Sequence, residues 1–369
     1  MSHISKRMST IDASGIRKVF DLGAKMKDPV NLSIGQPDFD VPDELKTIAI
    51  SAIQSGFNRY TQTQGTPELN EAIRAYLKRT AGFEPDSTMV ASGVSGALFL
   101  LILATIDPGD EVVFPDPYFV MYKHLVNFVG GVPVCVDTYP DFQLDPEKLA
   151  AAITDKTRMI IINSPSNPTG VVYSLETVQA IAELARKRNI LLVSDEIYRE
   201  FCFTKDFPSL ATWYPEKTVV LNGLSKSVAM TGWRVGFAAG PADIISEMIK
   251  LQQYTFVCAP SFAQKAAVRA FELPNGHLQS YIQRRDQIYH GLVNAGYDVV
   301  KPEGAFYIFP KCPADESLFI DAALENKLLI IPGSVFSEKK GWFRISFAAD
   351  TTVLEKGIEI LTRLRKQFA

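Results

Sequence analysis

Residues able to carry chemistry follow three aliphatic or β-branched runs that the sequence predicts as buried strands. The segments after these runs read NSPSNPTG from Asn163, DEIY from Asp195 and NGLSK from Asn222. In an open parallel sheet, ligands bind beyond the carboxyl ends of the strands. The sequence therefore predicts that an amide, a carboxylate, a phenol and an amine meet at one edge of a sheet.

This set of groups suits one cofactor, pyridoxal 5'-phosphate. A carboxylate such as Asp195 can pair with a pyridinium nitrogen, and the phenol of Tyr198 can hydrogen-bond a ring oxygen. The lysine amine of Lys226 can bond to an aldehyde. For this chemistry Asp195 must stay ionised, and Lys226 must be desolvated enough to act as a nucleophile and proton carrier near pH 7.

The elements around these segments indicate an α/β fold with a mostly parallel sheet flanked by helices. The predicted helices of this part are 43–55, 67–79, 95–105, 118–129 and 175–188, and its strands are 111–114, 132–136, 159–162, 190–194 and 218–221. Beyond residue 240 we expect helices over 241–254, 261–295 (broken near 274–276) and 351–367, and strands over 305–309, 328–331 and 342–347. Glycines and prolines predict an irregular segment before residue 43. We therefore expect a large domain over 40–275 and a smaller α+β domain formed by 1–39 and 276–369.

Composition excludes several classes of protein. The chain has 369 residues, of which 47% are hydrophobic, and a net charge of −3, so neither disorder nor nucleic-acid binding through phosphate neutralisation is expected. The longest strongly apolar run, 97–106, is too short for a membrane helix. The start of the chain lacks the pattern of a signal peptide. Four widely spaced cysteines predict neither a metal site nor a disulfide framework, so we expect a cytoplasmic enzyme.

Several segments of the chain resemble the class I and II aminotransferases, which are pyridoxal-phosphate enzymes of fold type I. The segment SKSVAMTGWRVG from Ser225 resembles the family's cofactor-lysine signature, and NSPSNPTG and DEIY resemble two further motifs. YTQTQGTPELNEAI from Tyr60, IGQPDF from Ile34 and FRIS from Phe343 also match, in the family's order. The matches span 34–346, and the opening of the chain is most similar to the aspartate/aromatic branch.

The resemblance implies a role for each matching residue around the cofactor ring. Lys226 is expected to bind the cofactor aldehyde and to carry the proton that leaves the substrate. Asp195 is expected to pair with the ring nitrogen, and Asn167 and Tyr198 to hydrogen-bond the ring oxygen. Phe119 is expected to stack on the ring.

The resemblance also implies a phosphate site and a homodimer. Backbone N–H groups of Val94 and Ser95, at the start of a helix, are expected to hold the phosphate together with Ser225 and Arg234. Tyr60 is expected to reach the phosphate of the neighbouring subunit's active site.

The substrates that the resemblance implies are an amino acid and a 2-oxo acid. Arg344 is expected to bind the α-carboxylate, helped by Gly35 and Asn167. Ser95 stands where some aspartate-using relatives carry a lysine, which argues against a dicarboxylate donor. The expected side-chain pocket consists of Ile16, Tyr118, Phe119 and the partner subunit's Tyr60. Gly96 is expected to widen the space near the ring, and Arg17 or Lys18 to meet a distal carboxylate if one is bound.

The function expected from the sequence is transamination from an aromatic or broad range of donors, with aspartate as a further candidate, to 2-oxoglutarate. One alternative is β-elimination of a sulfur amino acid by a C–S lyase, which begins with the same proton abstraction by Lys226. A second alternative is a regulator with an aminotransferase-like domain. Gly35 lies too near the start of the sequence for a preceding DNA-binding domain, so this reading is disfavoured.

Overall fold

The computed structural model describes residues 3–204 and 207–368, so the outermost residues of the expected small domain and residues 205–206 of the large one lie outside it. The strands are β1 (Val30–Asn31), β2 (Ser87–Ser92), β3 (Glu111–Asp116), β4 (Val132–Asp137), β5 (Thr157–Asn163), β6 (Leu191–Asp195), β7 (Thr218–Gly223), β8 (Val235–Gly240), β9 (Tyr307–Ile308), β10 (Leu328–Leu329), β11 (Ile331–Pro332) and β12 (Phe343–Ser346). The α-helices are α1 (Gly15–Gly23), α2 (Asp43–Gln54), α3 (Pro67–Ala81), α4 (Gly93–Thr105), α5 (Met121–Val129), α6 (Pro146–Ala152), α7 (Leu175–Arg188), α8 (Leu210–Trp213), α9 (Leu224–Ser227), α10 (Ala242–Gln253), α11 (Ser261–Ala270), α12 (Leu278–Ala295), α13 (Glu316–Glu325) and α14 (Thr351–Gln367).

The main sheet has seven strands in the order β2-β8-β7-β6-β5-β3-β4. All neighbours run parallel except β8, which is antiparallel to both β2 and β7. This architecture confirms the expected α/β fold with a mostly parallel sheet. Among the described residues, no helix is long and apolar enough to cross a membrane.

Helices cover both faces of the main sheet, which explains why its strands read as unbroken apolar runs. Successive residues of a strand point to opposite faces. Ile160 packs with α7 in one hydrophobic cluster, and Ile161 packs with α4 and α5 in another. Both side chains are completely buried. The parallel strands are thereby fixed in a layer from which their carboxyl ends emerge at one edge.

A second, smaller region is built around the antiparallel sheet β11-β12-β9, with α12, α13 and α14 packed in the same core. The N-terminal segment joins this region, since β1 pairs in parallel with β10. The division at residues 39 and 275 stays a prediction.

The segment before residue 43 is more regular than expected. Gly15 and Gly23 do not break a helix; they stand at the two ends of α1, where Val19 is buried. Gly15 allows a close approach, because a Cβ there would lie 2.4 Å from Cγ2 of Val335. Strands β2 and β8 and helices α6 and α13 were also not predicted. Strand β8 was not recognised from its pattern because glycines occupy its second and last positions.

Candidate active site

A cavity of about 300 Å³ lies where the carboxyl ends of β5, β6 and β7 face the small sheet and the N-terminal segment. Most residues predicted for the site line it, and the structure therefore brings them together. The lining residues are Ile16, Gly35, Val94, Ser95, Leu98, Phe119, Met121, Asn163, Asn167, Asp195, Ile197, Tyr198, Ser225, Lys226, Thr231, Arg234, Tyr307 and Arg344.

Asp195 ends β6 and is 3% exposed. Burial raises the pKa of its carboxyl to about 6, although the hydroxyl of Tyr122 and the backbone N–H of Ile197 lower it by donating hydrogen bonds. Tyr122 Oη lies 2.6 Å from Asp195 Oδ2. Sequence reasoning missed Tyr122, which lies on α5 with no motif of its own. Since the carboxylate is fixed and stays mainly ionised at pH 7, it can hold a cationic ring N–H.

Lys226 lies on the single turn α9 that follows β7. Burial lowers the pKa of its amine to about 8, and the positive charges of Arg344 and Arg234 contribute to the same shift. Its Nζ donates a 2.7 Å hydrogen bond to the carbonyl of Gly35. The amine is therefore partly unprotonated near neutral pH and can act as a nucleophile or base.

The start of α4 faces one end of the cavity and carries an arginine beside it. The first N–H groups of a helix have no partner within the helix and attract anions, and here they include those of Val94 and Ser95. Nη2 of Arg234 donates to the carbonyl of Ser92 at 3.2 Å. Gly93 has a φ of +67°, which favours glycine, and a Cβ there would lie 2.4 Å from the same nitrogen. The cavity is also lined by Ser95, Ser225 and Thr231, each of which carries a hydroxyl group, and Thr231 was not predicted.

Arg344, on β12, is 1% exposed and has no carboxylate among its hydrogen-bond partners in the described chain. Its Nη1 donates to Asn167 Oδ1 at 2.9 Å, and its Nη2 donates to the carbonyl of Ser33 at 3.0 Å. Nε is buried without a partner. The guanidinium also lies over the rings of Tyr307 and Phe336. A buried cation with unused donor capacity can bind a carboxylate in two-pronged geometry.

The turn after β5 connects this arginine to the cofactor side. The side chain of Asn163 donates to the carbonyl of Asp195 at 3.0 Å, and its oxygen accepts the backbone N–H of Asn167 at 2.8 Å. One missed asparagine thus joins two strand ends and orients Asn167. Its place in NSPSNPTG is the signal that could have found it.

Tyr198 points its hydroxyl into the cavity, where it lies 2.8 Å from the hydroxyl of Tyr307. Burial raises the pKa of both phenols, so both hydroxyls are protonated. Tyr307 is a further residue that sequence reasoning missed.

Some expected pocket residues lie elsewhere. Tyr118 does not line the cavity, because its hydroxyl donates a 2.6 Å hydrogen bond to Glu338. Gly96 is buried against Ser92 and Phe256, so it does not widen the cavity. Arg17 is exposed and ion-paired with Asp21, and Lys18 is exposed as well. Tyr60 is 83% exposed and outside the cavity of its own chain.

The fold and the cavity suit an enzyme that binds pyridoxal phosphate. The residues present fit this cofactor: an anion site at a helix start, a buried carboxylate for the ring nitrogen and a lysine amine of lowered pKa lie around one cavity. The unpaired Nε of Arg344 leaves capacity for a second anionic group.

Comparison with known proteins leads to the same class and names the family. Residues 27–361 match the family described as aminotransferase class I and II. A probable N-acetyl-LL-diaminopimelate aminotransferase of Bacillus subtilis is 39% identical over 98% of this chain and 95% of that protein. The aspartate aminotransferase of Thermus thermophilus, solved with maleate, has a TM-score of 0.94 at 36% identity and covers 99% of this chain and 100% of its own. An aromatic aminotransferase of Pyrococcus horikoshii has a TM-score of 0.89 at 36% identity, with 95% and 99% covered.

The chain belongs to the class I and II aminotransferases. It is a pyridoxal-phosphate enzyme that moves an amino group from an amino acid to a 2-oxo acid.

Proposed function

We propose that this aminotransferase accepts apolar and aromatic L-amino acids over a broad range and uses 2-oxoglutarate as the acceptor. The observation that carries this proposal is the charge balance of the cavity. Of the basic side chains that line it, Lys226 serves the cofactor, Arg234 serves its phosphate, and Arg344 serves the substrate α-carboxylate. The described residues of the cavity leave no basic group for a carboxylate on the donor side chain.

The rest of the cavity wall favours an apolar donor side chain. Ile16, Leu98, Phe119 and Met121 line it, and apolar contacts of this kind accept side chains of different shape. The acceptor occupies the same cavity, so the distal carboxylate of 2-oxoglutarate also has no basic partner among these residues. Ser95, exposed at the start of α4, is a neutral polar group that can meet this carboxylate. The relatives named for aspartate and for aromatic substrates have similar overall structures, so the difference has to come from such side chains.

We assign the cofactor contacts as follows. Asp195 holds the proton of the ring nitrogen, Asn167 and Tyr198 hydrogen-bond the ring oxygen, and Phe119 stacks on the ring. The phosphate is bound by the N–H groups of Val94 and Ser95 and by the side chains of Ser225 and Arg234. The chemistry supplied by bound pyridoxal phosphate is that of an electron sink for the substrate Cα.

The residues of this chain then position the substrate and move its proton. Arg344 and Asn167, with the backbone at Gly35, hold the α-carboxylate and thereby orient the Cα–H bond toward Lys226. The amine of Lys226 accepts the Cα proton, for which a pKa of about 8 is well matched near neutral pH.

A spectroscopic half-reaction tests this function. The loaded enzyme is mixed with phenylalanine, leucine, methionine or aspartate, and the loss of the cofactor's near-visible band is timed. We expect phenylalanine to react fastest and aspartate slowest, and 2-oxoglutarate to restore the band. Fast reaction with aspartate would refute the proposed donor class, and release of ammonia without an added 2-oxo acid would instead identify a lyase.

We also propose a homodimer in which Tyr60 reaches the neighbouring active site. Tyr60 is exposed, but the loop after it is held firmly: Gln264 donates to Thr61 Oγ1 at 3.0 Å and accepts from the Thr66 N–H at 2.9 Å. Gln252 donates to the carbonyl of Thr63. An aromatic side chain held outward by buried glutamines is suited to contact a second subunit.

A hybrid dimer tests the role of Tyr60 across the subunits. Chains carrying Tyr60→Ala and Lys226→Ala are co-expressed with different tags and purified through both. If Tyr60 acts on the neighbouring site, the hybrid contains one intact site and regains activity that neither variant shows alone. If Tyr60 acts within its own chain, the hybrid stays inactive.

We further propose that the enzyme works in the cytoplasm. Its four cysteines are unpaired, as expected in a reducing compartment. Fractionation of cells that express the full chain, with detection of the protein in each fraction, tests this location.

A further inference from the structure

Tyr307 lies at the junction of the cofactor side and the substrate side of the cavity. It is 1% exposed, and its hydroxyl is 2.8 Å from that of Tyr198. Its ring lies under the guanidinium of Arg344, with 4.3 Å between Cζ and the ring centre. One buried side chain therefore contacts both the proposed donor to the cofactor oxygen and the proposed carboxylate-binding arginine.

Strand register fixes these contacts. In the small sheet Tyr307 stands opposite Ser346, so Arg344 is its diagonal neighbour on the same face. On its other side the hydroxyl abuts the N-terminal segment, since a Cβ on Gly35 would lie 2.6 Å from it. The ring has little freedom to move without shifting Arg344 or Gly35.

The number of protons on the two phenols determines which hydroxyl donates in the hydrogen bond between Tyr198 and Tyr307. Each hydroxyl carries one proton. If Tyr198 donates its proton to the cofactor oxygen, the bond between the phenols must use the proton of Tyr307. A phenol that accepts a hydrogen bond becomes a stronger donor itself, because such chains polarise one another.

We propose that Tyr307 is a positioning residue that couples carboxylate binding at Arg344 to the hydrogen bond that Tyr198 donates to the cofactor. The guanidinium over the ring withdraws electron density and strengthens Tyr307 as a donor. A carboxylate bound to Arg344 neutralises this charge, weakens the donation to Tyr198 and so makes the lysine–cofactor linkage more basic. The inference rests on the proposed roles of Tyr198 and Arg344.

The test is the pH titration of the absorbance of the loaded enzyme, with and without 3-phenylpropionate, a carboxylate that has no amino group. In the wild type we expect the carboxylate to raise the pH at the midpoint of this titration. In Tyr307→Phe we expect the midpoint without carboxylate to rise by about 0.5 to 1 pH unit, the value of one hydrogen bond, and the carboxylate-induced shift to fall by at least half. Tyr297→Phe is the matched control, since this buried tyrosine of the same core donates to the carbonyl of Leu361 instead.

Two further variants test whether Tyr307 acts through its hydrogen bond to Tyr198. Adding Tyr307→Phe to Tyr198→Phe is expected to change nothing, because the first substitution already removes the affected hydrogen bond. Replacing Tyr307 with 3-fluorotyrosine keeps the ring and strengthens the donor, so it is expected to lower the midpoint even if the phenylalanine variant fails to fold.

The results separate this inference from the proposed function. If the wild type shows no carboxylate-induced shift, the roles of Arg344 and Tyr198 fail, and the inference fails with them. If the wild type shifts and Tyr307→Phe shifts equally, with an unchanged starting midpoint, only the role of Tyr307 is refuted.

Discussion

Arg199 and Arg344 are both buried, but their surroundings are opposite in kind. Arg199 donates to Oε2 of Glu196 at 2.8 Å, to the carbonyl of Thr80, and stacks over the ring of Phe207. Arg344 meets only neutral groups in the described chain: an amide oxygen, a carbonyl and two aromatic rings. Burial lowers the pKa of Arg344. Burial also acts to lower the pKa of Arg199, but Glu196, Tyr76 and Glu200 together outweigh it, so that pKa is raised.

The difference separates a structural arginine from one reserved for a ligand. Glu196 also accepts hydrogen bonds from Ser194 and Ser209. The ion pair of Glu196 and Arg199 therefore finds its partners within the protein. It braces the turn that carries Asp195. A buried charge without a counterion is unfavourable. Under the proposed function, the substrate carboxylate supplies the missing counterion at Arg344.

The largest expected effect comes from breaking the buried ion pair between Glu196 and Arg199. In Glu196→Gln, Arg199 loses the carboxylate of its buried ion pair, so we expect the free energy of unfolding to fall by about 3–5 kcal/mol. Urea denaturation of the unloaded protein measures this. The control is Glu183→Gln, which removes an exposed ion pair with Lys187 and should change stability by less than about 1 kcal/mol. Equal losses in both variants would contradict the distinction.

Removing Arg344 should affect catalysis instead of stability. In Arg344→Gln we expect kcat/KM to fall about 100- to 1000-fold, because the α-carboxylate loses a desolvated partner. We expect no loss of unfolding free energy in the unloaded protein, since an unpaired buried charge is removed. Steady-state kinetics and denaturation of the same preparation measure both quantities. Arg269→Gln, at an exposed arginine, is the control.

Binding of a carboxylate ligand tests separately the roles of Arg344 and of the Glu196–Arg199 pair. At about 100 times its dissociation constant, 3-phenylpropionate should stabilise the loaded wild type by about 2.7 kcal/mol. Arg344→Gln should lose this stabilisation, while Glu196→Gln should keep it despite its lower starting stability. Thermal unfolding with and without the ligand provides the measurement. Loss of the effect in both variants would show that the two regions do not act independently.

The effect that is smallest per pH unit concerns Lys226, whose pKa is lowered to about 8 by burial and by its cationic neighbours. Between pH 8 and its ordinary value of 10.5, the unfolded chain holds a proton that the folded chain has released. Stability of the cofactor-free protein should therefore rise with pH in this window, by up to about 1.4 kcal/mol per unit. Lys226→Met should remove this rise. A variant that kept the full slope would assign it to another group.

The sequence predicted the residues whose position is decided locally. Asp195, Asn167 and Lys226 follow parallel strands directly, and the rule that strand ends share an edge was enough to group them. Arg344 was found only through the resemblance, because a short strand in a small sheet carries little pattern. The helix over 95–105 was predicted from its periodicity, whereas the roles of Val94 and Ser95 came from the resemblance; in the structure this helix begins at Gly93.

Contacts between distant segments were beyond the sequence. Tyr122 and Tyr307 reach the site from α5 and from the small sheet, and nothing near them in the chain marks the partner that they meet. Tyr118 and Phe119 are adjacent, yet only Phe119 lines the cavity, because Glu338 captures the Tyr118 hydroxyl. The antiparallel strand β8 was missed for a related reason: one of its partners, β2, is distant in the sequence, and its own pattern is broken by glycine.

The position of β8 has a consequence for how the chain is completed on the ribosome. β2 is an edge strand whose neighbour in the sheet is β8, and Ser92 pairs with Val235. Because the chain is synthesised from its N-terminus, β2 lacks its complete sheet partner until residue 240 has been added. The same pairing brings Arg234 to Gly93, so the last strand to enter the sheet is also the one that finishes the anion site. A nascent chain that ends before β8 can form neither this sheet edge nor the complete anion site.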